Sequence, residues 1–106
     1  MSKIMPGIYD IPLFSPGVTA AFSGRLYDES TAAQFVKDLG LSPELYFKPK
    51  QVHGDEILIL EKGSRFSPGA EADGVMTGEP GFVLGIKTAD CIPAFFWDPV
   101  RKIAGL

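Results

Sequence analysis

His53 and Cys91 are the one histidine and the one cysteine among 106 residues, and each sits in a short motif suited to chemistry. His53 lies in Gln51-Val52-His53-Gly54. Cys91 closes Thr88-Ala89-Asp90-Cys91, ahead of the apolar run Ile92-Pro93-Ala94-Phe95-Phe96-Trp97. Zinc binding and thiol catalysis both pair an imidazole with a thiolate, because the thiolate is the soft ligand and nucleophile while the imidazole is a second ligand or a base. Sequence separation sets no distance in space, so the flanking residues carry the argument. Gly54 allows close backbone approach, and Gln51 offers an amide two residues from the histidine. A carboxylate beside a thiol, as Asp90 is beside Cys91, disfavours the thiolate unless a metal or a cation offsets it.

Each residue also has a plainer reading. A lone histidine is commonly a structural or surface residue, and a lone cysteine a small buried hydrophobe. Cys91, however, falls where a loop meets an apolar strand, a junction at which rigid scaffolds present functional side chains. Asp73, in Ala72-Asp73-Gly74, is a turn residue or a buried hydrogen-bonding carboxylate, with the structural role favoured, although it and Asp90 are also the carboxylates available to a metal. Arg25 follows Phe22-Ser23-Gly24 at the end of a predicted strand. It reads equally as a phosphate ligand and as an exposed surface arginine.

The elements that must position these residues are short. Nine prolines and twelve glycines punctuate brief apolar runs, the pattern of a strand-rich chain. A strand is expected over 18–23, after Ser15-Pro16-Gly17. One helix is well marked, with Thr31 and Gln34 as a capping box, Ala32, Phe35, Val36 and Leu39 on one face, and Gly40 at the position just past its end. Residues 45–47 and 57–60 read as strands, with Glu61-Lys62-Gly63 closing the second and 65–70 forming a loop that turns at Ser67-Pro68-Gly69. Segments 72–77 and 82–86 flank Gly78-Glu79-Pro80-Gly81 as a hairpin-like pair. Residues 92–97 are too apolar for a half-exposed strand and read as buried on both faces. Asp98-Pro99 turns the chain, and 102–106 begins another strand.

Composition bounds the function. With 45% hydrophobic and 22% charged residues the chain is expected to fold, as one domain at most. A net charge of −3, with Lys48 and Lys50 as its densest basic pair, gives no nucleic-acid footprint. A single cysteine makes no internal disulfide. The first six residues hold no apolar signal core, and apolar stretches of about six residues fall far short of a membrane span. The expectation is a cytoplasmic protein with neither membrane nor nucleic acid as partner.

Four motifs, in order, resemble those of the multicopper polyphenol oxidoreductase (laccase-like) family, also described as YfiH-like, whose better-supported activity is purine nucleoside phosphorolysis. They are Gln51 to Gly54, Ala72 to Thr77, Pro80-Gly81 and Thr88 to Pro93, and the match runs across 47–106. Phe22-Ser23-Gly24-Arg25 resembles the family's Phe-Ser-Thr-Arg segment, with Gly24 in place of threonine. The resemblance implies an α+β fold, a strand-rich mixed sheet with one clear helix, related to bacterial toxin-type cysteine hydrolases. Residues 1–106 would be a single truncated domain, the amino-terminal part of a larger one. It further implies a His-Cys-His site that binds zinc and lines a nucleoside pocket, with His53 and Cys91 as its catalytic and metal-binding members here and Arg25 on the substrate phosphate. The second histidine belongs to a His-Ala-Gly-Trp-Arg-Gly motif expected beyond Ile103-Ala104.

The expected function is phosphorolysis of adenosine, inosine and methylthioadenosine, with adenosine deamination by a metal-activated water as a companion reaction. In this incomplete chain, zinc binding should be weak or absent and self-association is expected through uncovered apolar segments. Two alternatives stand beside it: a non-catalytic fragment, and a cysteine hydrolase or amidase acting on cell-wall precursors through Cys91 and His53 without metal. Multicopper oxidation needs several imidazoles, and one histidine cannot supply them.

Overall fold

The computed structural model describes residues 2–5, 7–11, 17–24, 27–61, 69–88 and 92–106. The chain divides into two compact units, Met1–Glu44 and Leu45–Leu106. The first holds an antiparallel sheet of β1 (Ser2–Met5), β2 (Ile8–Asp10) and β3 (Ala21–Ser23), in that order. Met5 pairs with Ile8 across a turn at Gly7, whose φ of 83° is the left-handed conformation that glycine adopts without steric cost. Of the strand expected over 18–23, only its second half is realised, as β3.

The predicted helix forms as α1 (Ala32–Asp38), entered through a 3-10 turn at Glu29–Thr31. Its cap lies one turn earlier than the Thr31–Gln34 box the sequence suggests. Asp28 accepts from the Ser30 and Thr31 amides, and the Thr31 hydroxyl accepts in return from the Asp28 amide at 2.8 Å. The Gln34 amide is occupied elsewhere, donating to Asp38 at 2.7 Å. On the expected apolar face Val36 is buried and Ala32, Phe35 and Leu39 are half-buried. The helix stops as foreseen: Gly40 N–H donates to the Lys37 carbonyl, Leu41 N–H to the Val36 carbonyl, and Gly40 takes φ 79°.

The second unit carries two sheets. β4 (Tyr46–Phe47) and β7 (Val83–Leu84) run parallel. The larger sheet has the order β5 (Ile57–Leu60), β6 (Gly74–Thr77), β9 (Ile103–Gly105), β8 (Phe96–Asp98), with β5 and β6 parallel and the other two pairings antiparallel. Residues 72–77 and 82–86 therefore do not form a hairpin. Their strands leave the Gly78–Gly81 turn for different sheets, because β6 finds two non-local partners and β7 pairs with β4.

Side-chain alternation gives the larger sheet two unlike faces. One face is core: Leu60 is 2% exposed, Val75 1%, and Thr77 is buried with its hydroxyl donating to the Leu60 carbonyl at 2.7 Å. On the other, Ile57 (59% exposed) and Phe96 (66%) line an open apolar groove with Met76 and Ile103, and Ile59 is 55% exposed. This corrects the reading of 92–97 as a strand buried on both faces. The strand begins only at Phe96, and Ile92 is 92% exposed. An apolar run signals apolar surroundings, not which neighbour supplies them. The turn at Asp98-Pro99 is realised, with the Asp98 carboxylate accepting from the Val100 and Arg101 amides. Among the described residues no helix is long and apolar enough to cross a membrane.

Gly40 has nothing within 4 Å of where a Cβ would stand, so its role is purely conformational. Gly40→Ala should lower unfolding stability by about 1 kcal/mol and Gly40→Asn by less, because asparagine tolerates the left-handed region. Urea denaturation of the three proteins checks the order.

Candidate active site

Parallel strands deliver their carboxyl ends to the same edge. Phe47 of β4 lies opposite Leu84 of β7, and the Gly85 amide continues the pairing to the Phe47 carbonyl at 3.0 Å. Four residues after Phe47 the chain reaches Gln51, and three after Leu84 it reaches Lys87. There the Gln51 carboxamide takes both polar groups of the Lys87 backbone. Its Oε1 accepts from Lys87 N–H at 2.6 Å, and its Nε2 donates to the Lys87 carbonyl at 2.7 Å.

The other flank of the same segment is tied to residues 70–73. Lys50 bridges Glu71 in parallel register, its amide donating to the Ala70 carbonyl at 2.8 Å while its carbonyl accepts from Ala72 at 3.1 Å. Asp73 follows. Its carboxylate accepts the amides of Val52 at 3.1 Å, His53 at 2.9 Å and Gly54 at 2.8 Å. Three successive amides aimed at one point form an anion-binding concavity, and here the anion is the protein's own side chain. Those bonds hold His53 at φ 61°, a left-handed conformation uncommon for residues other than glycine. The His53 side chain is left exposed.

The expected hydrogen-bonding role of Asp73 is thus realised, although the residue is half-buried rather than buried, and it removes Asp73 as a metal ligand. Both its oxygens are committed to amides. Hydrogen bonds from Gly54 first, then from Val52 and His53, hold its acidity below the ordinary aspartate value of 3.8, with the His53 charge adding to them against the opposing effect of desolvation. Gln51 was legible only as a nearby amide. That it would reach across to Lys87, 36 positions away, had no local signal.

The structure places His53 and supports its loop on both sides. Cys91 and Arg25 lie outside the described residues, as do Lys62-Gly63 at the close of the second expected strand, residues 65–68 of the expected loop and the Ser15-Pro16 part of the first expected turn. Among the described residues no group of three or more His, Cys, Asp or Glu side chains could hold a metal ion. With Asp73 committed, the donors named above reduce to the His53 imidazole, the Cys91 thiol and the Asp90 carboxylate, the last two outside the described residues, and a zinc site normally draws three or four ligands from protein. Among the described residues His53 is the one member of that set.

Residues 29–106 match the family model described as multi-copper polyphenol oxidoreductase laccase. The chain belongs to this family. Among its relatives, a protein of Mus musculus named purine nucleoside phosphorylase LACC1 is 33% identical over 104 residues, covering 94% of this chain and 23% of the relative. A Streptomyces coelicolor protein named purine nucleoside phosphorylase is 35% identical over 68 residues, covering 64% of this chain and 28% of the relative. The chain thus spans about a quarter of the length of these curated relatives. The crystal structure of the Bacillus licheniformis hypothetical protein YfiH superposes with a TM-score of 0.85 at 24% identity, over 96% of this chain and 49% of that one. The α+β expectation, mixed sheets with one helix as part of a larger fold, holds.

Because acidity at Asp73 is enhanced in the folded chain, its contribution is fully present above the ordinary aspartate range and is lost as pH falls through the lower folded value. The amide signals of Val52, His53 and Gly54 should titrate together with a midpoint below 3.8 in heteronuclear NMR. Asp73→Ala should abolish that titration and speed exchange of all three amides.

Proposed function

We propose that this chain carries part of a purine nucleoside phosphorylase site, with His53 and Cys91 at the substrate and Arg25 on phosphate. What supports the reading most is the fastening of Gln51-Val52-His53-Gly54 on both sides. Asp73 of the second family motif grips one flank, and Lys87, just before Thr88-Ala89-Asp90-Cys91, grips the other. The first two motifs are thereby joined and the first is tied to the residue before the fourth, which supports the convergence that binding and catalysis require. The names of the relatives supply the reaction class.

Phosphorolysis breaks the bond from ribose C1′ to the purine nitrogen and forms one to a phosphate oxygen. The departing purine needs a proton, and an exposed imidazole is the side chain suited to exchanging one near neutral pH. The entering phosphate needs a cation, the role given to Arg25. Adenosine, inosine and methylthioadenosine are the substrate candidates, with adenosine deamination as a companion activity. No step is routed through zinc. The lone cysteine, which can form no internal disulfide, supports a cytoplasmic setting.

A nucleoside pocket encloses most of its ligand, and this chain spans about a quarter of the curated relatives. Residues 1–106 alone should therefore show no measurable release of adenine from adenosine and phosphate. A chain extended over the full family fold should release it, and His53→Ala or Cys91→Ala should each lower that turnover at least ~100-fold. Full turnover by both variants would end the assignment of these residues.

The exposure of Ile57, Ile59 and Phe96 on one face of the larger sheet supports self-association of this chain. Light scattering should show a mass that rises with concentration, and Ile59→Lys with Phe96→Lys should restore the monomer. A clean monomer over a wide concentration range would count against it.

A further inference from the structure

We propose that Gln51 is a positioning residue, which sets the distance between the histidine loop and the segment that follows β7. This role rests on the reading of His53 and Cys91 as members of one site. In an antiparallel sheet, two residues opposite each other exchange both N–H···O bonds. The Gln51 side chain reproduces that exchange with Lys87, accepting at 2.6 Å and donating at 2.7 Å. It acts as a surrogate strand residue where the β4–β7 pairing has ended. The orientation of the amide is fixed by chemistry, because a flip would set donor against donor at the Lys87 N–H and acceptor against acceptor at its carbonyl.

Both ends of this tie lead to chemistry. Gln51 is two residues from His53, whose own backbone is held by Asp73. Lys87 is four residues from Cys91, a tether of at most about 14 Å at full extension. Asp73 fixes the histidine loop relative to β6, and its side-chain hydrogen bonds among the described residues go to residues 52–54. Among the described hydrogen bonds it is the Gln51 pair that joins residues 51–54 to that segment. Glutamate at this position would keep the bond from the Lys87 N–H and set an anion against the Lys87 carbonyl. Leucine would lose both bonds.

The chain's single cysteine makes the distance measurable. A nitroxide attached to Cys91 should broaden the amide signals of residues 51–54 and the His53 imidazole in the otherwise unaltered protein. In Gln51→Leu that broadening should be lost, while amide protection at Leu60 and Val75 stays unchanged. Exchange at the Lys87 amide, read on unlabelled protein, should speed up by roughly 10-fold, the equivalent of one hydrogen bond. Gln51→Glu, which keeps an acceptor and tests the point should the leucine variant fold poorly, should fall between the two. Equal broadening at His53 in all three proteins would overturn the positioning role and leave the shared site standing. Absence of broadening in the unsubstituted chain would overturn the shared site itself, and the role with it.

Discussion

The bond from three consecutive amides to the Asp73 carboxylate is the constraint on which the rest of the site depends. It converts Val52-His53-Gly54 from a stretch of irregular backbone into a fixed turn and holds His53 left-handed. It also joins the two ends of a non-local arrangement, since Asp73 immediately precedes β6 and its own amide donates to the Glu56 carbonyl at the entry to β5. The parallel β5–β6 pair and the histidine loop are consequently one construction: moving either shifts the other.

What the sequence made legible were features with local causes. Residues 57–60 read as a strand because a run of Ile and Leu between polar neighbours has few other uses, and β5 has those bounds. Gly40 read as a helix end because the position past a helix favours a residue free to take positive φ. Features with non-local causes were misread. The segments around Gly78–Gly81 carry the apolar–turn–apolar pattern of a hairpin, but that pattern is silent on whether the two strands prefer each other or separate partners. The first hairpin, β1 with β2, escaped notice although Pro6-Gly7 is a turn signal in its own right.

The site divides in the same way. The histidine and cysteine were conspicuous by type, and Asp73 by its place in Ala-Asp-Gly. Nothing near Gln51 announces that its side chain stands in for a strand, because the partner is a backbone and any residue could have supplied it. Backbone partners leave no mark in the sequence of the residue that provides them. Lys87 is therefore the member of the site least visible beforehand.

The left-handed turn at His53 separates fold from chemistry in a particular way. Among the described residues, the bonds that shape the loop are made by main-chain amides with Asp73 and Gln51, and none of these requires an imidazole at position 53. Asparagine or glycine would suit the backbone at least as well. A variant without the histidine would keep its architecture and its motif neighbours. The backbone at position 53 is indifferent or mildly opposed to an imidazole, so the ring adds nothing to the loop that carries it.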